Sequence, residues 1–215
     1  MKTLNIILST ALVALTFSSF AQNKYQGIVT GIDGPIEGVK ILCQETGTKL
    51  VTDSKGEFTI DSKFEELHLQ STYKKMASST VATPNQKPIV INLIPSDRKL
   101  YKILTERNEI RLCDIYIDYY PKGEFIEMVK QTKEKLFFIE AYNIAASQFS
   151  DTALRNYLKI YPTGTYKEKA MDAIEIAAWQ KAKYENTADS YQEYLNQYPT
   201  GKAANLAKEK LTGLK

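Results

Sequence analysis

Histidine and cysteine are scarce in this sequence, and their scarcity narrows the chemistry that the chain can support. It has one histidine, His68, and two cysteines among 215 residues. A metal or catalytic centre built from several histidines is therefore excluded. The sequence also lacks the short motifs typical of zinc hydrolases, serine hydrolases and phosphate-binding loops. We therefore predict a non-enzymatic protein with no catalytic residue, no metal site and no cofactor.

A strong charge imbalance is also missing. The chain carries 28 basic and 25 acidic residues, which gives a formal net charge of +3. Basic stretches such as Lys74-Lys75 are short and are typical of a solvated surface. Proteins that bind nucleic acid normally show an extended basic patch, so we predict no nucleic-acid partner.

The amino terminus has the organisation of a secretory signal peptide. Lys2 supplies a positive charge, a mostly apolar run extends from Leu4 to Phe17, and Ser19-Phe20-Ala21 is typical of a cleavage site. The run is shorter than the roughly 20 residues that span a bilayer. We expect a signal peptide over residues 1–21. No later segment is apolar enough to cross a membrane, so we predict no transmembrane segment after cleavage.

Residues 22–96 have the pattern of short strands. Apolar and polar residues alternate with a period of two, which indicates strands with one buried face; the apolar positions are Val39, Ile41, Cys43, Phe58, Ile60, Leu67, Leu69, Ile89, Ile91 and Leu93. Turn-forming residues separate them at 33–35, 45–47 and 53–56. In the last turn we expect Gly56 to adopt the left-handed conformation that closes a hairpin.

Three blocks of this region match a known pattern. They are Gly27-Ile28-Val29-Thr30, the run from Gly34 to Ile41, and Val51 to Phe58. Together they resemble the carboxypeptidase regulatory-like domain, a family common in exported proteins of Bacteroidota. The resemblance implies a transthyretin-like, seven-stranded β-sandwich that is an accessory domain without peptidase activity. The sequence departs from the family at Ser71-Thr72-Tyr73, where a Gly-Tyr pair is frequent.

Residues 97–215 contain an internal repeat. The motif of Tyr116 to Gly123 recurs at Tyr157 to Gly164 and at Tyr194 to Gly201, and successive prolines are 41 and then 37 positions apart. Each motif predicts a helix that ends at Tyr-Pro, because the residue before proline is driven out of the α region. The glycine two positions later is expected to free the backbone for a turn. The same offsets align Tyr101 with Tyr142 and Tyr142 with Trp179.

This repeat resembles the tetratricopeptide type, in the form found in the bacterial outer-membrane assembly lipoproteins. Stacked helix pairs of this kind bury an apolar face that no single pair can bury alone. The predicted fold is therefore α+β in separate domains, with an N-terminal β-sandwich over 22–96 and a C-terminal helical repeat array over 97–215. The array departs from those lipoproteins in having only about two and a half to three units and no cysteine for a lipid anchor near the cleavage site.

The remaining polar and aromatic residues that could form a functional site are predicted to have structural roles. His68 between two leucines is expected on a strand surface, and Asp53-Ser54-Lys55-Gly56-Glu57 is explained by a turn. A row of acids on predicted helices is typical of a solvated face; it comprises Glu106, Glu109, Asp114 and Asp118. Because Tyr116, Tyr157 and Tyr194 recur at one position of the repeat, we predict that they are core residues. Exposure is expected for the less regular Tyr119, Phe137, Phe138 and Phe149.

The two cysteines fall in different predicted domains. Cys43 belongs to a predicted strand and Cys113 to a predicted helix. An exported compartment permits a disulfide, but bridging these residues would lock the two domains together. Two separate buried thiols are favoured, and the bridge remains an alternative.

The sequence predicts an exported binding or scaffold protein of the bacterial cell envelope, periplasmic or associated with the outer membrane. Its expected partner is a protein or peptide. Two alternatives remain. One is an accessory subunit or cryptic hydrolase whose sandwich supports an unrecognised active site, and the other is a secreted host-contact protein. The sequence identifies no partner-binding residue, since both fold types host many functions.

Overall fold

A computed structural model describes residues 23–214. The expected signal peptide over 1–21 lies outside the described residues. The chain divides between Leu93 and Ile94 into two compact units. The first contains β-strands and the second contains α-helices, so the predicted order of a β region followed by a helical region is confirmed.

Within residues 23–93 the first unit has eight strands in two sheets. In one sheet the central strand pairs with three others; its members are β1 (Asn23–Gly31), β2 (Gly34–Pro35), β5 (Glu57–Ser62) and β8 (Ile89–Asn92). The second sheet has the order β4-β3-β6-β7 and is antiparallel throughout; its strands are β3 (Lys40–Cys43), β4 (Lys49–Val51), β6 (Leu67–Tyr73) and β7 (Met76–Ala82). Strand β8 runs parallel to β1, and the other pairs are antiparallel.

The alternating apolar residues form the core of this unit. All ten of the predicted inward positions are buried, from Val39 in the loop before β3 to Leu93 just after β8. Strand β7 was not predicted from its sequence. Its inward positions include Ser78 and Thr80, which are only partly buried, so apolar alternation is weak there. Pairing with β6 along its whole length defines it as a strand.

The turn at 53–56 forms as predicted, but it does not close a hairpin. Gly56 has a φ of +72°, and its N–H donates to the carbonyl of Asp53. However, β4 before the turn pairs only with β3, whereas β5 after it pairs with β1. The turn therefore carries the chain from one sheet to the other. The expected hairpin is wrong because turn residues define a reversal, not the strands that pair across it.

Within residues 94–214 the second unit has seven helices. They are α1 (Asp97–Arg107), α2 (Ile110–Tyr119), α3 (Ile126–Gln148), α4 (Thr152–Ile160), α5 (Lys167–Glu185), α6 (Ala188–Gln197) and α7 (Ala204–Gly213). Helices α2, α4 and α6 end as predicted, because the tyrosine before each proline leaves the α region; these residues are Tyr120, Tyr161 and Tyr198. No helix within residues 23–214 combines the length and the apolar character that a membrane span requires.

Helix α3 is one turn longer than α5, with 23 residues against 19. Because of this extra turn, residues at equivalent places in the repeat are separated by different numbers of positions along the chain. The ring of Tyr101 stacks on Phe125 with centroids 4.1 Å apart, and the ring of Phe138 stacks on Tyr166 at 4.8 Å. Phe138 is therefore the counterpart of Tyr101. The predicted alignment of Tyr101 with Tyr142 is wrong, because it assumed one fixed offset across a unit that contains an extra turn.

Candidate interaction surfaces

His68 is a surface residue, as predicted, and its partner is Glu45. The Nδ1 atom lies 2.6 Å from the Glu45 carboxylate, and the backbone N–H of His68 donates to the same group at 2.8 Å. Burial raises the pKa of Glu45, but the hydrogen bonds from His68 outweigh it and lower the pKa to about 2. The pair ties the turn after β3 to β6. The Glu45 carboxylate also accepts from the buried Cys43 thiol at 3.5 Å, and Glu66 lies 3.6 Å from the Nε2 atom of His68.

The acidic row on the helices does not converge. Asp114 pairs with Lys133 at 2.5 Å, Glu109 lies between Arg107 and Arg111, and Asp118 is exposed. Within the described part of the chain no three carboxylates, histidines or cysteines come together as metal ligands would. The prediction of a solvated face stands for Asp118, while Asp114 and Glu109 belong to ion pairs.

The cysteines are separate free thiols, and both are buried. This confirms the favoured interpretation over the disulfide. Burial raises the pKa of Cys113 to about 11, and the neighbouring carboxylate of Asp114 adds to the shift. Such a thiol is protonated at neutral pH and is a poor nucleophile.

The three recurring tyrosines are buried, as predicted, and each also makes the same polar contact. Their hydroxyls donate to a carboxylate at the equivalent position of the preceding helix; the pairs are Tyr116 with Asp97, Tyr157 with Glu134 and Tyr194 with Glu175. Each hydroxyl also accepts a backbone N–H from the start of the next helix. Burial, followed by the bond to the carboxylate, raises the pKa of each tyrosine to about 12.

These carboxylates were not predicted from the sequence. Asp97 and Glu175 precede their tyrosines by 19 residues, whereas Glu134 precedes Tyr157 by 23. The difference of four residues corresponds to the extra turn of α3. A search for a carboxylate at one fixed spacing before each tyrosine therefore does not detect the recurrence. Comparing the three units with a one-turn gap would have found it.

Glycine recurs at the same position of the three motifs, but the reason is not the backbone freedom that was expected for a turn. Gly123, Gly164 and Gly201 are not in the left-handed region. A Cβ atom on Gly201 would lie 2.8 Å from the Tyr194 hydroxyl and 2.6 Å from the Glu175 carboxylate. These glycines are therefore required by the close approach of the tyrosine–carboxylate pair, and not by the turn.

The predictions for the irregular aromatic residues are confirmed in part. Tyr119 is exposed. Phe137 and Phe149 are half-buried, and Phe138 is buried between Tyr157 and Tyr166. The exposure predicted for Phe138 is wrong because it occupies the repeat position of Tyr101.

Large apolar side chains are exposed on α3 and on α5. Met128, Ile139 and Tyr142 follow one stripe of α3 and are 45%, 41% and 45% exposed. Ile176 of α5 is 46% exposed. It lies fourteen residues after Pro162, and Lys135 of α3 lies fourteen residues after Pro121, so the two residues occupy equivalent positions of the repeat. We call these four apolar residues the α3–α5 face.

A shallow groove borders this face. Its volume is about 560 Å³, and Ile139 lines it together with Ile110, Leu136 and Ile144. Polar groups from the α1–α2 turn, including Asn108 and Glu109, form another part of its wall. Apolar side chains in an open groove with a polar border are typical of a protein-binding surface.

No family model matches the chain, and no curated protein shows significant similarity to it.

Proposed function

We propose that the protein is an exported, non-enzymatic binding or scaffold protein of the bacterial cell envelope, and that its helical unit binds a protein partner. In this proposal the two sheets form a transthyretin-like sandwich of the carboxypeptidase regulatory-like family. The helices form a tetratricopeptide-like array. The export signal at 1–21 and the three sequence blocks from Gly27 to Phe58 support the proposal.

The observation that carries the proposal is the α3–α5 face. Four large apolar side chains are each more than two-fifths exposed, although the same helices bury Phe138 and Ile174. A cluster of exposed apolar residues is unfavourable in water unless a partner covers it. Asp114 is paired with Lys133 and both thiols are buried, so neither offers a comparable exposed surface.

Capture from the native envelope fraction tests this function. The full-length protein would carry a C-terminal affinity tag, and captured proteins would be identified by mass spectrometry after cross-linking. Ile139→Lys should abolish capture of the partner because it places a charge in the α3–α5 face. Ile160→Lys is the matched control, since Ile160 is 50% exposed on α4 and lies outside the face.

The outcomes separate the possibilities. Loss of the partner with Ile139→Lys alone supports the proposal. No stable partner, or equal capture by both variants, contradicts it. Cell fractionation tests the localisation. Recovery of the protein only in the culture medium would favour the secreted host-contact alternative.

A further inference from the structure

A second groove lies between α4, α5 and the end of α6. Its volume is about 460 Å³. Leu158, Met171 and Ile174 line it with apolar surface, and Tyr198 contributes from the end of α6. Ile174 is only 6% exposed and forms the floor, whereas Met171 is 50% exposed. Arg155 and Lys167 also line this space, which we call the Arg155 groove.

The equivalent positions one repeat earlier are bridged by an ion pair. Arg155 lies seven residues before Pro162, as Asp114 does before Pro121, and Ile174 lies twelve residues after Pro162, as Lys133 does after Pro121. The Asp114 carboxylate and the Lys133 ammonium are 2.5 Å apart. In the Arg155 groove the acid is replaced by a cation and the cation by an apolar residue. No bridge can form there, and the floor stays apolar.

The rim of the groove is cationic. Arg155 and Lys167 line it, and among residues 23–214 no acidic residue does. The Arg155 guanidinium donates to Asp151 of its own helix at 2.7 Å, yet its side chain is 60% exposed. Lys167 has no ion pair with any residue in 23–214.

The positive charge of Lys167 does not stabilise the helix to which it belongs. It is the first residue of α5, where the helix dipole disfavours a cation. The other two repeats have Ile126 and Ala204 at this position. A cation placed against the dipole beside an apolar floor is complementary to a ligand that carries a negative charge next to an apolar group.

We propose that the Arg155 groove binds a peptide segment of a partner protein in which an apolar residue is flanked by acidic residues. The apolar side chain would cover Leu158 and Ile174, and the flanking carboxylates would face Arg155 and Lys167. A volume of this size accommodates one or two side chains. The site shares no residue with the α3–α5 face, so it goes beyond the function proposed above and does not depend on it.

Fluorescence polarisation with labelled peptides tests the site on the full-length protein. The probe is a six-residue peptide that alternates aspartate with leucine. One control peptide replaces aspartate by asparagine, and the other replaces leucine by glycine. We expect binding of the first peptide only, with an affinity that falls as salt is raised from about 50 to 500 mM because exposed charges are screened.

Two variants use residues that the other repeats already hold. Lys167→Ala copies Ala204 and should weaken binding by about two- to five-fold, as expected for one exposed ion pair. The double variant Arg155→Asp with Ile174→Lys copies Asp114 and Lys133 and should close the groove and abolish binding. Thermal melts followed by helix signal verify that both variants fold.

Ile139→Lys should leave peptide binding unchanged, which separates this site from the α3–α5 face. If that variant loses the envelope partner but keeps the peptide, the two proposals stand independently. Equal binding of the aspartate and asparagine peptides would overturn the inference. So would the absence of binding at millimolar peptide, or unchanged affinity in Lys167→Ala.

Discussion

The hydroxyl of Tyr157 lies 2.8 Å from the carboxylate of Glu134, although the two residues are 23 positions apart in the chain. The same hydroxyl accepts the backbone N–H of Tyr166 at 3.2 Å. One buried side chain thus joins α3, α4 and the start of α5. Because the contact recurs at Tyr116 and Tyr194, it is a repeating element of the helical unit, and each part of it can be tested.

Replacing Tyr157 tests the packing and the hydrogen bonds separately. Tyr157→Ala should cost about 3–5 kcal/mol, the usual loss for a buried aromatic residue, and should loosen the helical unit, since domains are stable by only about 5–15 kcal/mol. Tyr157→Phe keeps the ring and should cost about 1–3 kcal/mol, because the Glu134 carboxylate and the Tyr166 amide lose a partner.

Chemical denaturation followed by far-UV circular dichroism measures both losses. Tyr119→Phe is the control, since Tyr119 is exposed. If Tyr157→Ala melts like the parent, the assignment of Tyr157 to the core is wrong.

Gly164→Ala should destabilise the helical unit by about 1–3 kcal/mol, the cost of overpacking. Its Cβ would lie 2.8 Å from both the Tyr157 hydroxyl and the Cβ of Tyr161. Gly213→Ala is the matched control, because nothing lies within 4 Å of the added atom and alanine favours a helix. Differential scanning calorimetry should show a lower melting temperature for the first variant only; a shift of the same sign in both would contradict the steric argument.

Alkaline pH should weaken the helical unit in a defined window. The three repeat tyrosines have pKa values of about 12 when folded, against an ordinary value near 10. Between these values the unfolded chain loses protons that the folded state retains, so stability falls as pH rises from about 10 to 12.

Guanidinium midpoints measured from pH 8 to 12 would show this loss. Tyr157→Phe should make the decline shallower, since it removes one of the three tyrosines whose pKa is raised to about 12. Identical slopes for the parent and Tyr157→Phe would show that other groups cause the alkaline loss.

Acid should weaken the strand unit through Glu45. Its pKa is about 2 in the folded state, below the ordinary value, so its contribution is complete at neutral pH and is lost as pH falls from about 4.5 to 2. Glu45→Gln should remove this part of the acid sensitivity and lower stability at pH 7 by about 1 kcal/mol. Glu66→Gln is the control, because Glu66 is more exposed and lies 3.6 Å from the other ring nitrogen of His68. Urea midpoints at pH 2 to 7 provide the measurement, and parallel curves for the parent and Glu45→Gln would refute the assignment.

The sequence by itself determined the local elements of this protein. Alternating residues such as Ile41 and Phe58 point to one side of a strand, and Tyr-Pro ends a helix, because both effects act over a few neighbouring residues. The recurrence of Tyr157 in three motifs was sufficient to place it in the core, since each unit must bury the same face.

Only the tertiary structure decided which distant groups meet. The turn at Gly56 was readable from sequence, but pairing between β5 and β1 depends on contacts across some 30 residues. The extra turn of α3 exchanged the places of Phe138 and Tyr142, and it concealed the bond between Glu134 and Tyr157. The α3–α5 face and the Arg155 groove were hidden for the same reason. A helix stripe is exposed or covered according to its neighbours, and local periodicity does not specify them.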